Sequence, residues 1–152
     1  MKARGPGNGQ GMFAKSMNTV NPCKTDIVKS FLEAAVARDW NKLATYCHAE
    51  FAVRESDALP YAGVYRGIEG FRRLARLIFI ESFKDFRVEP QSYSEGDDYV
   101  VLLAAISGVG KQSGIPFSSQ LVEIYRFEND LIIEIQPFYW DTRLINDVLT
   151  DS

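Results

Sequence analysis

The sequence predicts an α+β fold in which helices come first and an antiparallel β-sheet follows. Residues 27–35 and 68–78 carry apolar side chains at the three- and four-residue spacing of a helix. Further along the chain, apolar side chains alternate with a period of two, as they do in strands. Asn129 and Asp130 separate the last two strands and tolerate the positive φ angles of a tight hairpin. Helices followed by a run of hairpin-connected strands are typical of the α+β class.

Length and composition predict a single globular domain. The chain has 152 residues, of which 46% are hydrophobic and 24% charged, and it lacks an apolar stretch long enough to span a membrane. Its net charge of -3 argues against a nucleic-acid partner, and the cluster of Arg72, Arg73 and Arg76 is interpreted as a solvated helix face. Cys23 and Cys47 match no metal-binding or disulfide framework, which favours free thiols in a reducing compartment, the cytoplasm.

The first residues are expected to lie outside the fold. Residues 1–20 are rich in Gly and polar side chains and lack the continuous apolar segment of a signal peptide. They have too little apolar surface to offset the entropy that a chain loses on ordering. We therefore expect a disordered leader over residues 1–20 and one domain over residues 21–152.

Three helices are expected before the main run of strands. Thr25 is suited to cap the first helix, which runs to about Arg38, and Asp26 is favourable in its first turn. A short second helix is predicted over residues 41–47, and the third begins at Gly67.

Five strands are predicted, and a last helix that Asp141 can cap follows them. The strands cover residues 51–56, 86–90, 99–106, 120–128 and 131–139. The segment 99–106 is apolar on both of its faces, which indicates a strand that is covered on both sides. One face can take the helices of its own chain. For the other face we expect a second copy, packed sheet to sheet as a homodimer.

Three common kinds of chemistry are not supported by the sequence patterns. Residues 107–116 contain several glycines, but Gln112 stands where a phosphate loop has Ser or Thr. His48 is the only histidine, so a metal site is not predicted. No Ser has the setting of a nucleophile elbow. The sequence therefore predicts neither a metal nor a cofactor.

Two carboxylates lie on apolar strand faces. The alternation places Glu55 on the face of Phe51, and it places Glu123 on the face of Leu121 and Tyr125. A carboxyl group buried among apolar side chains has a raised pKa and is suited to proton transfer. The alternative is that each carboxylate forms a structural ion pair with an arginine of the strands. The residues themselves leave both interpretations open.

Three longer motifs stand in the chain: IVKSFLEAAVARDW, ESDALPYAGVYRGIEGF and YRFENDLIIEIQPFYWDT. They resemble the nuclear transport factor 2-like superfamily, in particular its SnoaL-like polyketide cyclase and ketosteroid isomerase branches, over most of the chain from Thr25 onward. The resemblance implies a cone in which a strongly curved antiparallel sheet wraps around the N-terminal helices, with a pocket inside and commonly a homodimer outside. The superfamily includes isomerases, cyclases and hydrolases as well as proteins that only bind.

The resemblance also implies roles for individual residues. Glu55 falls where ketosteroid isomerase has its aspartate general base, and Glu123 where it has the protonated aspartate of the oxyanion hole. Phe31 falls where that enzyme has the tyrosine of the hole. Loss of one such donor typically slows catalysis by ~10²-fold or more, so ketosteroid isomerisation itself is not expected.

These observations predict cofactor-independent acid/base chemistry of the isomerase, cyclase or hydrolase type on a small hydrophobic molecule. Glu55 is expected to act as the acid/base and Glu123 as a donor or second acid/base. Four further residues are expected at the wall or rim of the pocket: Tyr61, Tyr139, Trp140 and Asp141. The alternative is a module of the same fold that only binds a small ligand or a protein. That module would pair both acids with arginines and fill its pocket with side chains.

Overall fold

The computed structural model describes residues 22–150 of the chain. The leader predicted over residues 1–20 lies outside the described residues and stays a prediction. The helices are α1 (Lys24–Ala37), α2 (Trp40–Ala44), α3 (Gly67–Arg76) and α4 (Thr142–Thr150), and α3 continues into a π-helical segment, Leu77–Ser82. The strands are β1 (Cys47–Glu55), β2 (Gly63–Arg66), β3 (Phe83–Glu95), β4 (Tyr99–Gly110), β5 (Pro116–Glu128) and β6 (Leu131–Tyr139). This arrangement confirms the α+β class.

The strands form one sheet in the order β2-β1-β6-β5-β4-β3. The strands from β3 to β6 pair antiparallel with their chain neighbours, and β1 pairs antiparallel with β2. β1 and β6 run parallel, so the sheet is mixed and not antiparallel throughout. A parallel pair needs a long connection in place of a hairpin, and residues 56–130, about half of the chain, separate these two strands.

Bulges bend this sheet. The register between β3 and β4 shifts between Lys84 and Arg87 and again between Pro90 and Ser92. Asp85, at the first shift, has a φ of 53°. A bulge inserts an extra residue, bends its strand and increases the local twist. The sheet therefore curves around α1, which packs against β3 and β4, in agreement with the cone that the resemblance implies.

One face of the sheet carries the core. The register places Val53 of β1, Ile135 of β6 and Tyr125 of β5 side by side, and all three are buried. Tyr125 lies opposite Val100 of β4, which is also fully buried. The ring of Phe31 from α1 packs edge-on against Tyr125. The helix therefore covers the concave face of the sheet.

The start of α1 shows that the prediction of Thr25 as its cap is wrong. The residue before the first helical turn is Cys23, whose side chain forms no capping hydrogen bond. Glu95, at the end of β3, accepts hydrogen bonds from the Thr25 amide at 2.6 Å and from the Thr25 hydroxyl at 3.0 Å. A carboxylate at this end of a helix satisfies free amides and interacts favourably with the helix dipole. The cap therefore comes from a strand distant in the chain.

α2 and β2 also differ from the sequence prediction. α2 ends earlier than expected because Cys47 belongs to β1, and Asp39 caps it by accepting a hydrogen bond from the Lys42 amide at 3.1 Å. β2 was not predicted, since four residues are too few to show a period of two. Its Tyr65 is buried opposite Val53 of β1.

The opposite face of the sheet is apolar at its centre. In β4, Leu102 is fully buried while Val101 and Leu103 are half-buried on the outside. The register places Val101 opposite Ile124 and Leu103 opposite Val122 of β5. Phe138 lies opposite Val122 and is 47% exposed. We call five of these outward side chains the outer patch: Val101, Leu103, Val122, Ile124 and Phe138.

Gly70 provides a test of the close packing between α3 and β2. A Cβ at this position would lie 2.6 Å from the backbone carbonyl carbon of Tyr65. Replacing Gly by Ala in a helix ordinarily stabilises a protein by ~1 kcal/mol. Here the backbone would have to shift, so we expect Gly70→Ala to lower the free energy of unfolding by about 1–3 kcal/mol in a urea titration. A variant as stable as the wild type would show that α3 is free to move away from β2.

Candidate functional site

A large open cavity lies between α1, α3 with its π-helical segment, and the concave face of the sheet. Its volume is about 1350 Å³, which exceeds the roughly 300–1,000 Å³ of common small-molecule sites. The side chains of its floor come from β1, β5 and β6: Val53, Glu55, Leu121, Glu123, Tyr125 and Ile135. The floor is therefore apolar apart from two carboxyl groups and one phenol.

Glu55 is the last residue of β1 and faces this floor. The pleat that buries Phe51 and Val53 also turns Glu55 inward, and the residue is 4% exposed. Its Oε2 has no hydrogen-bond partner among residues 22–150. Burial raises the pKa of Glu55 to about 8, and the negative charge of Glu123 contributes to the rise. At neutral pH this carboxyl group therefore holds its proton.

Glu123 of β5 lies on the same floor in a different environment. The hydroxyl of Tyr125 donates a hydrogen bond to Glu123 Oε2. Burial raises the pKa of Glu123, and this hydrogen bond opposes the rise because it stabilises the carboxylate. The two carboxyl groups therefore differ in environment, because Glu123 has a hydrogen-bond donor whereas Glu55 Oε2 has no partner among residues 22–150.

No arginine among residues 22–150 neutralises either acid. Arg54 and Arg126 both pair with Glu134, at 3.3 and 3.5 Å respectively. Among residues 22–150, no ion pair involves Glu55 or Glu123. The structure therefore has neither the paired acids nor the filled pocket that we expected of a pure interaction module.

Phe31 of α1 forms the wall beside the acids. The residue is 1% exposed and lines the cavity. Its ring packs edge-on against Phe71, with the centroids 5.4 Å apart, and against Tyr125 at 6.1 Å. Rings in this arrangement attract one another beyond the burial of their area. Phe31, Glu55 and Glu123 are thus the predicted site residues that the fold brings together at the cavity.

Tyr61 and Tyr139 form a phenol pair behind the floor, outside the residues that line the cavity. Their hydroxyl oxygens are hydrogen-bonded at 3.0 Å. Burial raises the pKa of both phenols, and the charge of Glu55 raises each further. The pair therefore lies within Coulombic range of Glu55.

Trp140 and Asp141 lie away from the cavity. Trp140 is 82% exposed just beyond β6, where its amide donates to the Gln120 carbonyl at 3.0 Å. Asp141 caps α4, since its Oδ1 accepts a hydrogen bond from the Leu144 amide at 2.9 Å. The fold therefore does not bring either residue to the cavity.

Tyr93 and Tyr125 line the cavity and were not among the predicted site residues. Tyr125 could have been found, because the alternation of β5 places it on the face of Glu123. The pKa of Tyr93 is raised by burial and by the charge of Glu123, so this phenol lies near that acid. A bulge between Pro90 and Ser92 shifts the alternation of β3, and no sequence pattern marks where that shift occurs.

The part of the chain that the structure describes has neither a metal-ligand cluster nor a helix that could span a membrane. Within residues 22–150, no three His, Cys, Asp or Glu side chains are grouped so that they could hold a metal ion. His48 accepts a hydrogen bond from the Glu50 amide at 3.0 Å through its Nδ1. None of the helices between residues 22 and 150 is long and apolar enough to cross a membrane.

Comparison with known proteins identifies the family. Residues 28–135, well over half of the chain, match the model of the SnoaL-like domain. The protein therefore belongs to the SnoaL-like domain family, which confirms the resemblance of the three sequence motifs. A search of curated proteins found no match.

Solved structures share the fold at low sequence identity. A nuclear transport factor 2-like protein of unknown function from Burkholderia pseudomallei K96243 is 19% identical, with a TM-score of 0.74 over 84% of this chain and 97% of that one. A protein named for its similarity to SnoaL-like polyketide cyclases, from Jannaschia sp. CCS1, is 18% identical, with a TM-score of 0.68 over 88% and 98%. A protein with a ketosteroid isomerase-like fold from Catenulispora acidiphila DSM 44928, in complex with trimethylamine, is 20% identical, with a TM-score of 0.58 over 75% and 85%.

The raised pKa of Glu55 predicts that stability falls as the pH rises. Above its ordinary pKa of 4.5 the carboxyl is ionised in the unfolded chain, whereas in the fold it stays protonated up to about 8. Folding therefore binds a proton in this range, and stability is lost with rising pH by at most ~1.4 kcal/mol per unit. We expect the melting temperature of the wild type to fall between about pH 5 and 8. Glu55→Gln should flatten this dependence and should be the more stable protein at pH 8.

The matched control is Glu134→Gln, which changes a carboxylate on the outer face that is paired with Arg54 and Arg126. This variant should keep the pH dependence of the wild type. Parallel melting curves for the wild type and Glu55→Gln across this pH range would contradict the assignment of Glu55 as a protonated interior acid.

Proposed function

We propose that the protein binds a small, largely apolar molecule in the cavity and carries out cofactor-independent acid/base chemistry on it, of the isomerase, cyclase or hydrolase type. The observation that carries the proposal is Glu55, a buried carboxyl group with an unpartnered oxygen on the floor of an apolar cavity. A fold gains no stability from such a group, since an apolar side chain of similar size would be easier to bury.

The different hydrogen bonding of the two acids supports complementary roles for them. Glu55 is protonated at neutral pH and donates its proton to an oxygen of the ligand, such as a carbonyl. Glu123, whose carboxylate is stabilised by the hydrogen bond from Tyr125, accepts a proton from the adjacent carbon, so the ligand becomes an enol. Glu123 then returns its proton to a different carbon, and Glu55 takes back its proton from the enol oxygen. The ligand is now an isomer, and both acids have regained their starting protonation. The resemblance implied the reverse assignment, with Glu55 as the base; the raised pKa and unpartnered oxygen of Glu55, and the hydrogen bond to Glu123, support Glu55 as the acid.

The aromatic residues have supporting parts in this proposal. Phe31 has no hydroxyl, so it shapes the wall while the phenols of Tyr93 and Tyr125 supply the hydrogen-bond donors near Glu123. The hydroxyls of Tyr61 and Tyr139 bond each other, so this pair is not assigned a chemical role. Trp140 and Asp141 have no part in it, because one is exposed and the other caps α4.

Membership of the SnoaL-like domain family is compatible with an enzyme and with a binding protein. The Jannaschia neighbour is named for polyketide cyclases, and the Catenulispora neighbour was solved with trimethylamine. Both are below 25% identity, so they support the use of this cone for small molecules and do not identify the ligand of this chain.

Hydrogen exchange next to a carbonyl tests the acid/base chemistry without knowledge of the substrate. We expect the protein to accelerate exchange of the α-protons of apolar ketones such as 2-tetralone in deuterated water, followed by proton NMR. Glu55→Gln should reduce the acceleration by about 10²-fold or more. Glu134→Gln should leave it unchanged, because that carboxylate lies on the outer face.

The alternative function is binding alone. If the ketones bind the wild type, as seen by chemical-shift changes of cavity residues, while exchange is not accelerated for any of them, the acid/base proposal is wrong. The non-enzymatic binding module would then stand, since the open apolar cavity serves binding equally well.

We also propose that the protein is a homodimer that packs through the outer patch, as the two-faced segment 99–106 predicted. The patch is apolar and sits at the centre of the uncovered face of the sheet. Trp140, 82% exposed, lies beyond the end of the same sheet. Exposed aromatic and aliphatic side chains grouped in this way are typical of interfaces between protein chains.

Sedimentation measurements test the dimer. The wild type should sediment as a dimer at micromolar concentration, and Leu103→Lys should give a monomer or an aggregate because it places a charge at the centre of the outer patch. Val36→Lys is the control, since Val36 is 87% exposed on α1 and away from the sheet. A monomeric wild type, or a Leu103→Lys variant that remains dimeric, would show that the outer patch is not a dimer interface.

The cytoplasmic location expected from the sequence stays part of the proposal. Cys23 is exposed and Cys47 is half-buried, and both are free thiols. Burial raises the pKa of the Cys47 thiol to about 12, so it is unreactive. Two free thiols are typical of a reducing compartment.

A further inference from the structure

The mouth of the cavity has the opposite charge to its floor. Six cationic side chains line it, which we call the cationic rim: Lys29, Arg38, Arg72, Arg73, Arg76 and Arg87. Three carboxylates accompany them: Glu33, Glu69 and Glu89. The whole chain has a net charge of -3, so this excess of positive charge is local to the mouth.

Much of this positive charge is unpaired. Arg72 pairs with Glu69 at 3.1 Å, and Arg76 pairs with Glu81 at 2.9 Å. Within residues 22–150, the other four members of the rim form no ion pair. The cluster that the sequence analysis interpreted as a solvated helix face therefore belongs to a larger set of cations around one opening.

Aromatic rings position two of the unpaired cations without neutralising them. The guanidinium of Arg73 lies 5.2 Å from the ring centroid of Tyr65, and the ammonium of Lys29 lies 5.1 Å from that of Tyr93. A cation held over a ring face keeps its charge and leaves N–H groups free to donate. These cations are therefore held ready for an anion at the opening.

The mouth is also apolar. Val36, Phe79 and Ile80 line it and are 87%, 49% and 46% exposed. Apolar side chains beside unpaired cations match a ligand that is itself amphipathic. The floor offers the anionic end of such a ligand no cation, because its polar groups are two carboxyl groups and one phenol.

We propose that the ligand is a small apolar molecule that carries a carboxylate, bound with the carboxylate at the cationic rim and the apolar body directed toward Glu55. Lys29 and Arg73 are its main contacts at the rim, because aromatic rings hold both cations in place and leave their N–H groups free to donate to a carboxylate. The inference rests on the proposed function for the presence of a ligand in the cavity and adds the chemical class and orientation of that ligand.

Three ligands with the same chain and different ends test this inference: decanoic acid, decan-1-ol and decylamine. Titration calorimetry at pH 7 and low salt should give the acid an affinity roughly fivefold or more above that of the alcohol, with the amine weakest. Added salt should reduce the preference for the acid, because the rim is exposed.

The outcomes separate this inference from the proposed function. Equal affinity for acid and alcohol, or tightest binding of the amine, would overturn the inference and leave a cavity that binds apolar molecules. Absence of binding for all three ligands would overturn both.

Variants of the cationic rim test whether it causes the preference for decanoic acid over decan-1-ol. The double change Lys29→Gln and Arg73→Gln should remove the advantage of decanoic acid while the affinity for decan-1-ol, which reports an intact cavity, is retained. Arg143→Gln is the control, because Arg143 lies on α4 outside the cavity and is 89% exposed at its side chain. A preference for the acid that survives the double change would show that the rim does not bind the carboxylate.

Discussion

The burial of an unpaired carboxyl group at the end of β1 is the constraint on which the site depends. Glu55 cannot turn outward without reversing the pleat that buries Phe51 and Val53. Burying an ionised carboxylate without a partner costs at least several kcal/mol, so the group keeps its proton instead. Glu123 meets the same constraint differently, because Tyr125 supplies a hydrogen bond to its carboxylate. One floor thereby holds a protonated acid and a second carboxyl group that has its own hydrogen-bond donor.

The sheet keeps the arginines of its outer face apart from the acids of its inner face, so these charges do not neutralise one another. Arg54 and Arg126 leave the strands on the side opposite to the acids and meet Glu134 there. The other cations near the cavity stand on α1, α3 and β3, at its mouth. The cavity therefore changes in character with depth, from cations at the mouth through aromatic walls to acids on the floor. A ligand that is polar at one end would enter such a cavity in one orientation.

The sequence predicted the orientation of the acids because a strand has two faces and a period of two. Glu55 and Glu123 were assigned to the interior on this basis, and the structure places both there. The same reasoning missed Tyr93, because a bulge before Ser92 shifts the alternation of β3. Trp140 was expected at the pocket, but its position follows from the register of β5 and β6, which a single strand does not reveal. The parallel pairing of β1 with β6 and the capping of α1 from β3 likewise depend on segments distant in the chain.

The central claim is that Glu55 is a protonated acid inside the cavity, and its carboxyl-carbon chemical shift measures this directly. A carbon-detected NMR titration of the wild type, with the Glu55 signal identified by its loss in Glu55→Gln, gives the pKa of this one group. The account predicts a midpoint near 8, well above the ordinary 4.5, with an inflection where Glu123 titrates. A midpoint at or below 4.5 would mean that a cation or several hydrogen bonds stabilise the carboxylate, and the acid/base site described above would not exist.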